Sequence, residues 1–179
     1  MLTPSRRAYE SRVRAILQSL SISPASLAGR SLPLCEEAVE LVTAEIDDRG
    51  REHRLVPAAA EAWRAIKAAA SSQGVMLQIV SAFRSVDRQV EIIRSKLEAG
   101  VPLEQILAVS APPGYSEHHT GRAIDITTPG ARALEEEFAG SAAFHWLQEN
   151  GSSFRFFLSY PRDNRQGYLY EPWHWCYQH

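Results

Sequence analysis

The amino-acid sequence predicts an α+β fold with an antiparallel sheet. Apolar residues recur at helical spacing in the first part of the chain, and short apolar runs bounded by turn residues follow later. Helices that precede strands, rather than alternate with them, are typical of this class. The 179 residues suffice for one domain with a sizeable core. We therefore expect a single domain over residues 1–179, mostly helical over 1–74 and carrying the chemical motifs over 75–179.

Three helices are predicted in the first part of the chain. The first begins at Thr3 and Pro4, because proline suits the first helical position, and continues toward Leu20. The third spans Pro57–Ser72, which is rich in alanine and is followed by Gly74. Between them, 4-3-4 spacing of four apolar residues predicts a second helix: Cys35, Val39, Val42 and Ile46.

Strands and two more helices are predicted in the later part. The apolar run Val75–Val80 is typical of a buried strand, and Ser85 can cap a helix that ends at Gly100. In the predicted strand Ala123–Ile126, Ile124 and Ile126 share one face and Asp125 points to the other. Three further predicted elements are a helix over Ser141–Asn150 and two strands, Phe156–Tyr160 and Tyr168–Tyr170, which the turn Pro161–Gly167 joins.

Composition excludes several classes of protein. The chain has 19 Lys and Arg against 21 Asp and Glu, so no positive charge favours a nucleic-acid partner. No apolar run approaches the roughly 20 residues that a transmembrane helix needs. Two cysteines, Cys35 and Cys176, make at most one bridge. We expect a monomer.

The first 20 residues carry charges throughout, whereas a secretory signal needs about 7–15 continuous apolar residues. This pattern predicts a cytoplasmic location, with the periplasm or cell envelope as the alternative if the chain has been trimmed.

Two histidines and an aspartate form a candidate metal site. His118 and Asp125 are seven positions apart, with Gly121 between them to permit a tight turn, and His174 follows 49 positions later. A catalytic zinc takes three such ligands and keeps one position for water. A single carboxylate leaves the centre positive, which favours a lowered pKa of bound water. We expect one Zn²⁺ ion, although other first-row divalent ions suit the same ligands.

A general base and a carboxylate-binding group accompany this set. Glu171 lies three residues before His174, and Pro172 restricts it to an extended conformation, so both side chains can reach one site. Glu171 would take a proton from water and pass it to the leaving amine. Arg84 follows an apolar strand, and its guanidinium can bind a terminal carboxylate in bidentate fashion. We expect Ser116 to add a hydrogen bond to that carboxylate and Gln89 to contact the peptide backbone.

Three motifs together resemble a known family. They are S-x-x-R-S at Ser81–Ser85, S-x-H-x-x-G-x-A-x-D at Ser116–Asp125 and E-x-W-H-W at Glu171–Trp175. In this order they resemble the zinc D-alanyl-D-alanine carboxypeptidases of the vancomycin-resistance type, within the superfamily of lysostaphin, D-Ala-D-Ala peptidases and the hedgehog signalling domain. The similarity covers about Val80–Tyr177, over half of the chain.

The resemblance implies both a fold and an activity. The fold is a small antiparallel sheet flanked by helices, with zinc in a groove, here with an N-terminal helical extension. The activity is removal of terminal D-Ala from peptidoglycan stem peptides, as a D,D- or L,D-carboxypeptidase in cell-wall metabolism or recycling. The implied roles are zinc ligation by His118, Asp125 and His174, base catalysis by Glu171, and substrate binding by Arg84, Gln89 and Ser116.

Two positions depart from the family pattern. Ser159 stands before Tyr160 and Pro161, where related sequences often have arginine, and Cys176 follows the Trp-His-Trp run, where arginine is also frequent. Neither is a ligand position, so the departures bear on substrate preference.

Two alternatives remain open from the sequence. One is a D,D-dipeptidase or peptidoglycan endopeptidase on the same scaffold, and the other is a non-catalytic zinc-bound interaction domain. Glu171 argues against the second, because a structural site has no need of a base. The remaining predictions are that His119 is not a ligand, that Cys176 is a buried inert thiol, and that three histidines lie on the surface: His53, His145 and His179.

Overall fold

A four-stranded antiparallel sheet carries residues of all three motifs. The structure is a computed structural model and describes residues 4–178. Its helices and strands in chain order are α1 (Pro4–Ser19), β1 (Val42–Ile46), β2 (Glu52–Leu55), α2 (Pro57–Ser72), β3 (Gln78–Ser81), α3 (Val86–Glu98), α4 (Leu103–Val109), β4 (Ala123–Thr127), α5 (Ala142–Asn150), β5 (Phe156–Leu158) and β6 (His174–Tyr177). Strands β1 and β2 form a hairpin, and the larger sheet has the order β3-β4-β6-β5. This architecture confirms the α+β prediction.

Strand register in this sheet brings distant residues together. Asp125 in β4 lies directly opposite His174 in β6, and Ser81 in β3 pairs with Asp125 on the other side. Side chains directly opposite in an antiparallel pair leave the same face of the sheet. The pairing of β4 with β6 therefore places the carboxylate and the imidazole side by side.

The other face of the sheet anchors that register in the hydrophobic core. Ile124 and Ile126 of β4 and Trp175 of β6 are buried there, in the alternation predicted for β4. Helices α2 and α5 cover them with large apolar side chains, among them Trp63, Ile66, Phe144 and Leu147. Because a one-residue slip would turn these residues to the wrong face, burial fixes which residues face the site.

The predicted helix over Cys35–Ile46 is wrong. Residues 30–41 form neither helix nor strand, and β1 pairs with β2 instead. The Asp47 carboxylate accepts hydrogen bonds from the backbone N–H groups of Arg49 and Arg51, which closes the turn between the two strands. The N-terminal part is thus a mixture of helices and a hairpin rather than mostly helical.

The helical spacing was misleading because only four residues carried it. Of these, Val39 and Ile46 are exposed, so they form no buried helical stripe. Val42, Thr43 and Ile46 are β-branched, which favours the strand.

The structure also differs from the predicted elements at two places after residue 100. Tyr168–Tyr170 is not a strand, because the Leu169 N–H donates to the Ala108 carbonyl of α4 at 2.9 Å rather than to a neighbouring strand. Helix α4 itself was not predicted. The start of α1 at Thr3 lies outside the described residues, as does His179.

None of the helices in residues 4–178 is long and apolar enough to span a membrane.

Gly121 closes the turn that carries His118, and alanine there should destabilise the fold. Its φ is +63°, and a Cβ would lie 2.8 Å from Leu41 Cδ2 and 3.2 Å from Val56 Cγ1. Gly130 also has positive φ, but a Cβ there meets nothing within 4 Å. We expect Gly121→Ala to lower the free energy of unfolding by about 1–3 kcal/mol more than Gly130→Ala. Urea unfolding measures both, and equal losses would contradict the role of close packing.

Candidate functional site

His118, Asp125 and His174 converge in one buried cluster. Their potential ligand atoms all lie within 4.8 Å of one another. His118 Nε2 is 3.2 Å from Asp125 Oδ2, and His174 Nδ1 is 3.0 Å from Asp125 Oδ1. Within residues 4–178 this is the only group of three or more His, Cys, Asp or Glu side chains so arranged.

The orientation of His118 follows from the turn on which it lies. The turn spans Glu117–Thr120 and is closed by Gly121. His118 Nδ1 lies 2.7 Å from the carbonyl oxygen of Ala82. Because a carbonyl only accepts, Nδ1 carries a proton, and Nε2 is the nitrogen that faces Asp125. Burial lowers the pKa of His118, which favours the neutral ring.

His174 is held between two carboxylates. Its Nδ1 faces Asp125, and its Nε2 lies 3.0 Å from Glu117 Oε2. The ring stacks on Tyr160 with centroids 4.5 Å apart. Burial alone would lower the pKa of His174, but hydrogen bonds to the two carboxylates raise it to about 10. Burial alone would raise the pKa of Asp125, but the neighbouring imidazoles of His118 and His174 hold it well below its ordinary value.

The cluster has the ligand types that a zinc ion takes. Zinc at about 2.0–2.2 Å from tetrahedral N and O ligands separates those ligands by roughly 3.3–3.6 Å. Each histidine nitrogen lies near this distance from one Asp125 oxygen, His118 at 3.2 Å from Oδ2 and His174 at 3.0 Å from Oδ1. Two imidazole nitrogens and one carboxylate, all directed inward, are the ligand types of a catalytic zinc site.

Glu171 lies beside the cluster without belonging to it. Its Oε2 is 3.9 Å from His174 Nδ1. The backbone N–H of His174 donates to the backbone carbonyl of Glu171, and the backbone N–H of Glu171 donates to the backbone carbonyl of Tyr160, both at 3.1 Å. This tight turn directs both side chains into one groove. Burial raises the pKa of Glu171 to about 7, so its carboxyl group can gain and lose a proton near neutral pH.

Arg84 brings a guanidinium to the same place. Its Nη2 is 4.0 Å from Asp125 Oδ2, and its Nη1 donates to Gln89 Oε1 at 2.8 Å. The Gln89 amide nitrogen in turn donates to the Ala111 carbonyl at 2.8 Å. Gln89 is fully buried behind Arg84, so its side chain acts on the groove through that guanidinium.

An open groove of about 700 Å³ joins these groups. Arg84, Ser116 and Glu171 line it together with the three residues of the cluster. Every predicted site residue except Gln89 therefore reaches one continuous surface.

Three groove residues were missed by the sequence analysis. Tyr168 has a buried hydroxyl with no hydrogen-bond partner in residues 4–178. Lys96 donates to Ser110 Oγ at 2.7 Å, and Tyr160 supports His174. Only Lys96 had a usable signal, since it lies seven positions after Gln89 and hence on the same face of α3. The two tyrosines lie in segments that were interpreted as strands.

The other histidines and the cysteines are structural. His119 is fully buried, with Nδ1 2.6 Å from the Arg84 carbonyl and Nε2 accepting from Gly114 N–H at 3.1 Å. The prediction that His53 lies on the surface is wrong, because its ring is buried beside Asp47; the hairpin encloses it. His145 is exposed, as predicted. Cys35 and Cys176 are free and buried. Burial raises the pKa of Cys35 to about 12 and also raises the pKa of Cys176, so both thiols remain protonated.

A buried donor set of two histidines and one aspartate, open to a groove and flanked by a free carboxyl group, defines a candidate single-metal site of the hydrolase type. The chain belongs to the VanY family of D-alanyl-D-alanine carboxypeptidases, which it matches over residues 52–179.

Relatives from two bacteria agree with this membership. The YodJ protein of Bacillus subtilis (strain 168) is 37% identical over 122 residues, which are 66% of this chain and 44% of YodJ. A D-alanyl-D-alanine carboxypeptidase of Enterococcus faecalis (strain ATCC 700802 / V583) is 33% identical over 122 residues, 61% of this chain and 42% of the relative. The chain thus matches less than half the length of each.

Solved structures share the fold. The LD-carboxypeptidase LdcB superposes with a TM-score of 0.65 at 31% identity, covering 84% of this chain and 68% of LdcB. A D,D-pentapeptidase VanY in complex with Zn(II) gives 0.59 at 26% identity, covering 80% and 86%. VanYB in complex with D-alanine-D-alanine gives 0.62 at 28% identity, covering 86% of both chains.

Proposed function

We propose that this chain is a zinc-dependent carboxypeptidase that removes the terminal D-Ala from peptidoglycan stem peptides. Membership of the VanY family and the likeness to VanYB, which binds D-alanine-D-alanine, support this activity. The observation that carries the proposal is the position of Arg84, whose guanidinium lies 4.0 Å from the Asp125 carboxylate. A carboxylate-binding group beside the candidate metal site selects the last residue of a peptide.

The metal and the base divide the hydrolytic work. His118, Asp125 and His174 would hold the ion. Bound zinc would polarise the scissile carbonyl and lower the pKa of a water molecule. Glu171 accepts a proton from that water and donates it to the departing amine nitrogen. Burial raises the pKa of Glu171, which makes the protonated form that donates in the second transfer more accessible.

The groove binds the end of the peptide through fixed polar groups. Arg84, which Gln89 holds in place, pairs with the terminal carboxylate, and Ser116 adds a hydrogen bond from the groove wall. The unpaired hydroxyl of Tyr168 donates to the peptide. A buried hydroxyl without a partner costs roughly 1–3 kcal/mol, which a hydrogen bond to substrate offsets.

The length of the preferred stem peptide distinguishes the possible activities. Purified protein loaded with zinc is incubated with tetrapeptide and pentapeptide muropeptides, and mass spectrometry identifies the products. Loss of D-Ala from the tetrapeptide assigns L,D-carboxypeptidase activity, and loss from the pentapeptide assigns D,D-carboxypeptidase activity. Release of the D-Ala-D-Ala dipeptide, cleavage of internal cross-links, or zinc binding with no hydrolysis would each overturn the proposal.

Glu171→Gln should abolish turnover without removing the metal. The amide cannot accept the proton, so we expect kcat to fall by about 10²–10⁴ while zinc content stays the same. Rates of D-Ala release and metal analysis measure the two effects. Glu104→Gln at an exposed position of α4 is the control. Full activity in the Glu171 variant would exclude it as the base.

Arg84→Ala should impair the enzyme only for peptides that end in a free carboxylate. Loss of a charge-assisted hydrogen bond of about 1.5–3 kcal/mol lowers kcat/KM by roughly 10- to 100-fold. An otherwise identical peptide with a C-terminal amide should be processed equally poorly by both proteins. An endopeptidase would tolerate the substitution, so unchanged kcat/KM for the free peptide would contradict the assigned role.

Tyr168→Phe should separate binding from stability. The hydroxyl has no partner in the described chain, so its removal should leave the melting temperature unchanged or slightly higher. KM for the stem peptide should rise, by about 5- to 10-fold for one hydrogen bond of roughly 1 kcal/mol. Calorimetry measures the melting temperature, and steady-state kinetics measures KM. A drop in stability with unchanged KM would show that the hydroxyl serves the fold.

A further inference from the structure

We propose that Glu117 is a positioning residue that turns the Nδ1 atom of His174 toward the metal site. Glu117 Oε2 lies 3.0 Å from His174 Nε2, on the side of the ring opposite to Asp125. This role goes beyond the donor set, because Glu117 is not one of the three clustered residues. It rests on the proposed function, since it assumes that His174 binds a metal.

Hydrogen bonding decides which nitrogen of His174 is available. A neutral imidazole carries one N–H, and the other nitrogen presents a lone pair. Asp125 and Glu117 both accept, so each stabilises a proton on the ring nitrogen that it faces; a cation that displaces the proton from Nδ1 leaves the proton on Nε2 held by Glu117. The same contact fixes the rotation of the ring, which stacking on Tyr160 restricts further. Such carboxylate–histidine pairs raise the basicity of a ligand and pre-orient it.

Glu117 is itself firmly placed. The Ser159 hydroxyl donates to the same Oε2 atom at 2.6 Å, and the Thr120 hydroxyl donates to the Glu117 carbonyl at 2.6 Å. Glu117 begins the short turn that also carries His118. One rigid turn therefore supplies one ligand directly and orients another across the sheet.

Glu117 borders a second cavity in addition to contacting His174. Cys35, Cys176 and Arg122 also line this cavity of about 710 Å³. The Ser159 hydroxyl, which donates to Glu117, carries no charge.

Zinc affinity, measured without substrate, tests this role. Competition with a chromophoric chelator gives the dissociation constant for Zn²⁺ in the wild type, Glu117→Ala and Glu117→Gln. Replacing an outer carboxylate of this kind typically weakens metal binding about 10- to 100-fold, which we expect for the alanine variant. Glutamine should lose less, because its amide oxygen still accepts from Nε2–H. Glu40→Ala, which removes an exposed carboxylate from the rim of the same second cavity, should leave the affinity unchanged.

A spectroscopic measurement separates positioning from a purely structural role. Substitution by Co²⁺ gives visible bands that report ligand geometry, and we expect them to shift in both Glu117 variants but not in Glu40→Ala. Circular dichroism of the metal-free proteins establishes that each is folded. If Glu117→Ala does not fold, the nearly isosteric Glu117→Gln carries the test.

Each outcome supports or overturns the inference. A folded Glu117 variant with wild-type zinc affinity and an unchanged cobalt spectrum would overturn the role of Glu117 while leaving the proposed function intact. Wild-type protein that binds no zinc would instead overturn the proposed metal site, and with it this inference. The wild-type titration therefore tells the two failures apart.

Discussion

The buried carboxylate of Asp125 is the constraint on which the site depends. Burying a charge is strongly unfavourable unless opposite charges or hydrogen-bond donors surround it. The pairing of β4 with β6 supplies His174, and the turn before β4 supplies His118, both within hydrogen-bonding distance. A bound cation would satisfy the same carboxylate. The fold therefore surrounds Asp125 with groups that stabilise its negative charge, and a metal ion bound at the candidate site would do the same.

Around this centre, the groups that would act on a peptide are each held by a second group. Gln89 holds Arg84, and the turn that begins at Glu171 fixes that residue relative to His174. Such support keeps side chains near one geometry, which is what a preorganised site requires. It also explains why fully buried polar residues such as Gln89 occur close to an open groove.

Much of the candidate site could be predicted from the sequence, and much of the N-terminal fold could not. The spacing of His118, Gly121 and Asp125 predicts a turn followed by a strand. Residues close together in the sequence are therefore sufficient to predict this part of the site. The helix expected over Cys35–Ile46 failed because periodicity in four residues is a weak signal, and pairing of β1 with β2 overrode it. The contact of Glu117 with His174 could not be predicted from local spacing, because the two residues are 57 positions apart.

The sequence by itself determined the class of the fold, the identity of the three clustered residues and the residue types of the candidate site, because motif spacing and the alternation in β4 are local properties of the chain. Only the tertiary structure decided which nitrogen of each histidine faces Asp125, that Gln89 lies behind Arg84, and that the buried hydroxyl of Tyr168 has no partner among the described residues. These features arise from contacts between segments far apart in sequence. Strand register and packing create such contacts, and no local pattern records them.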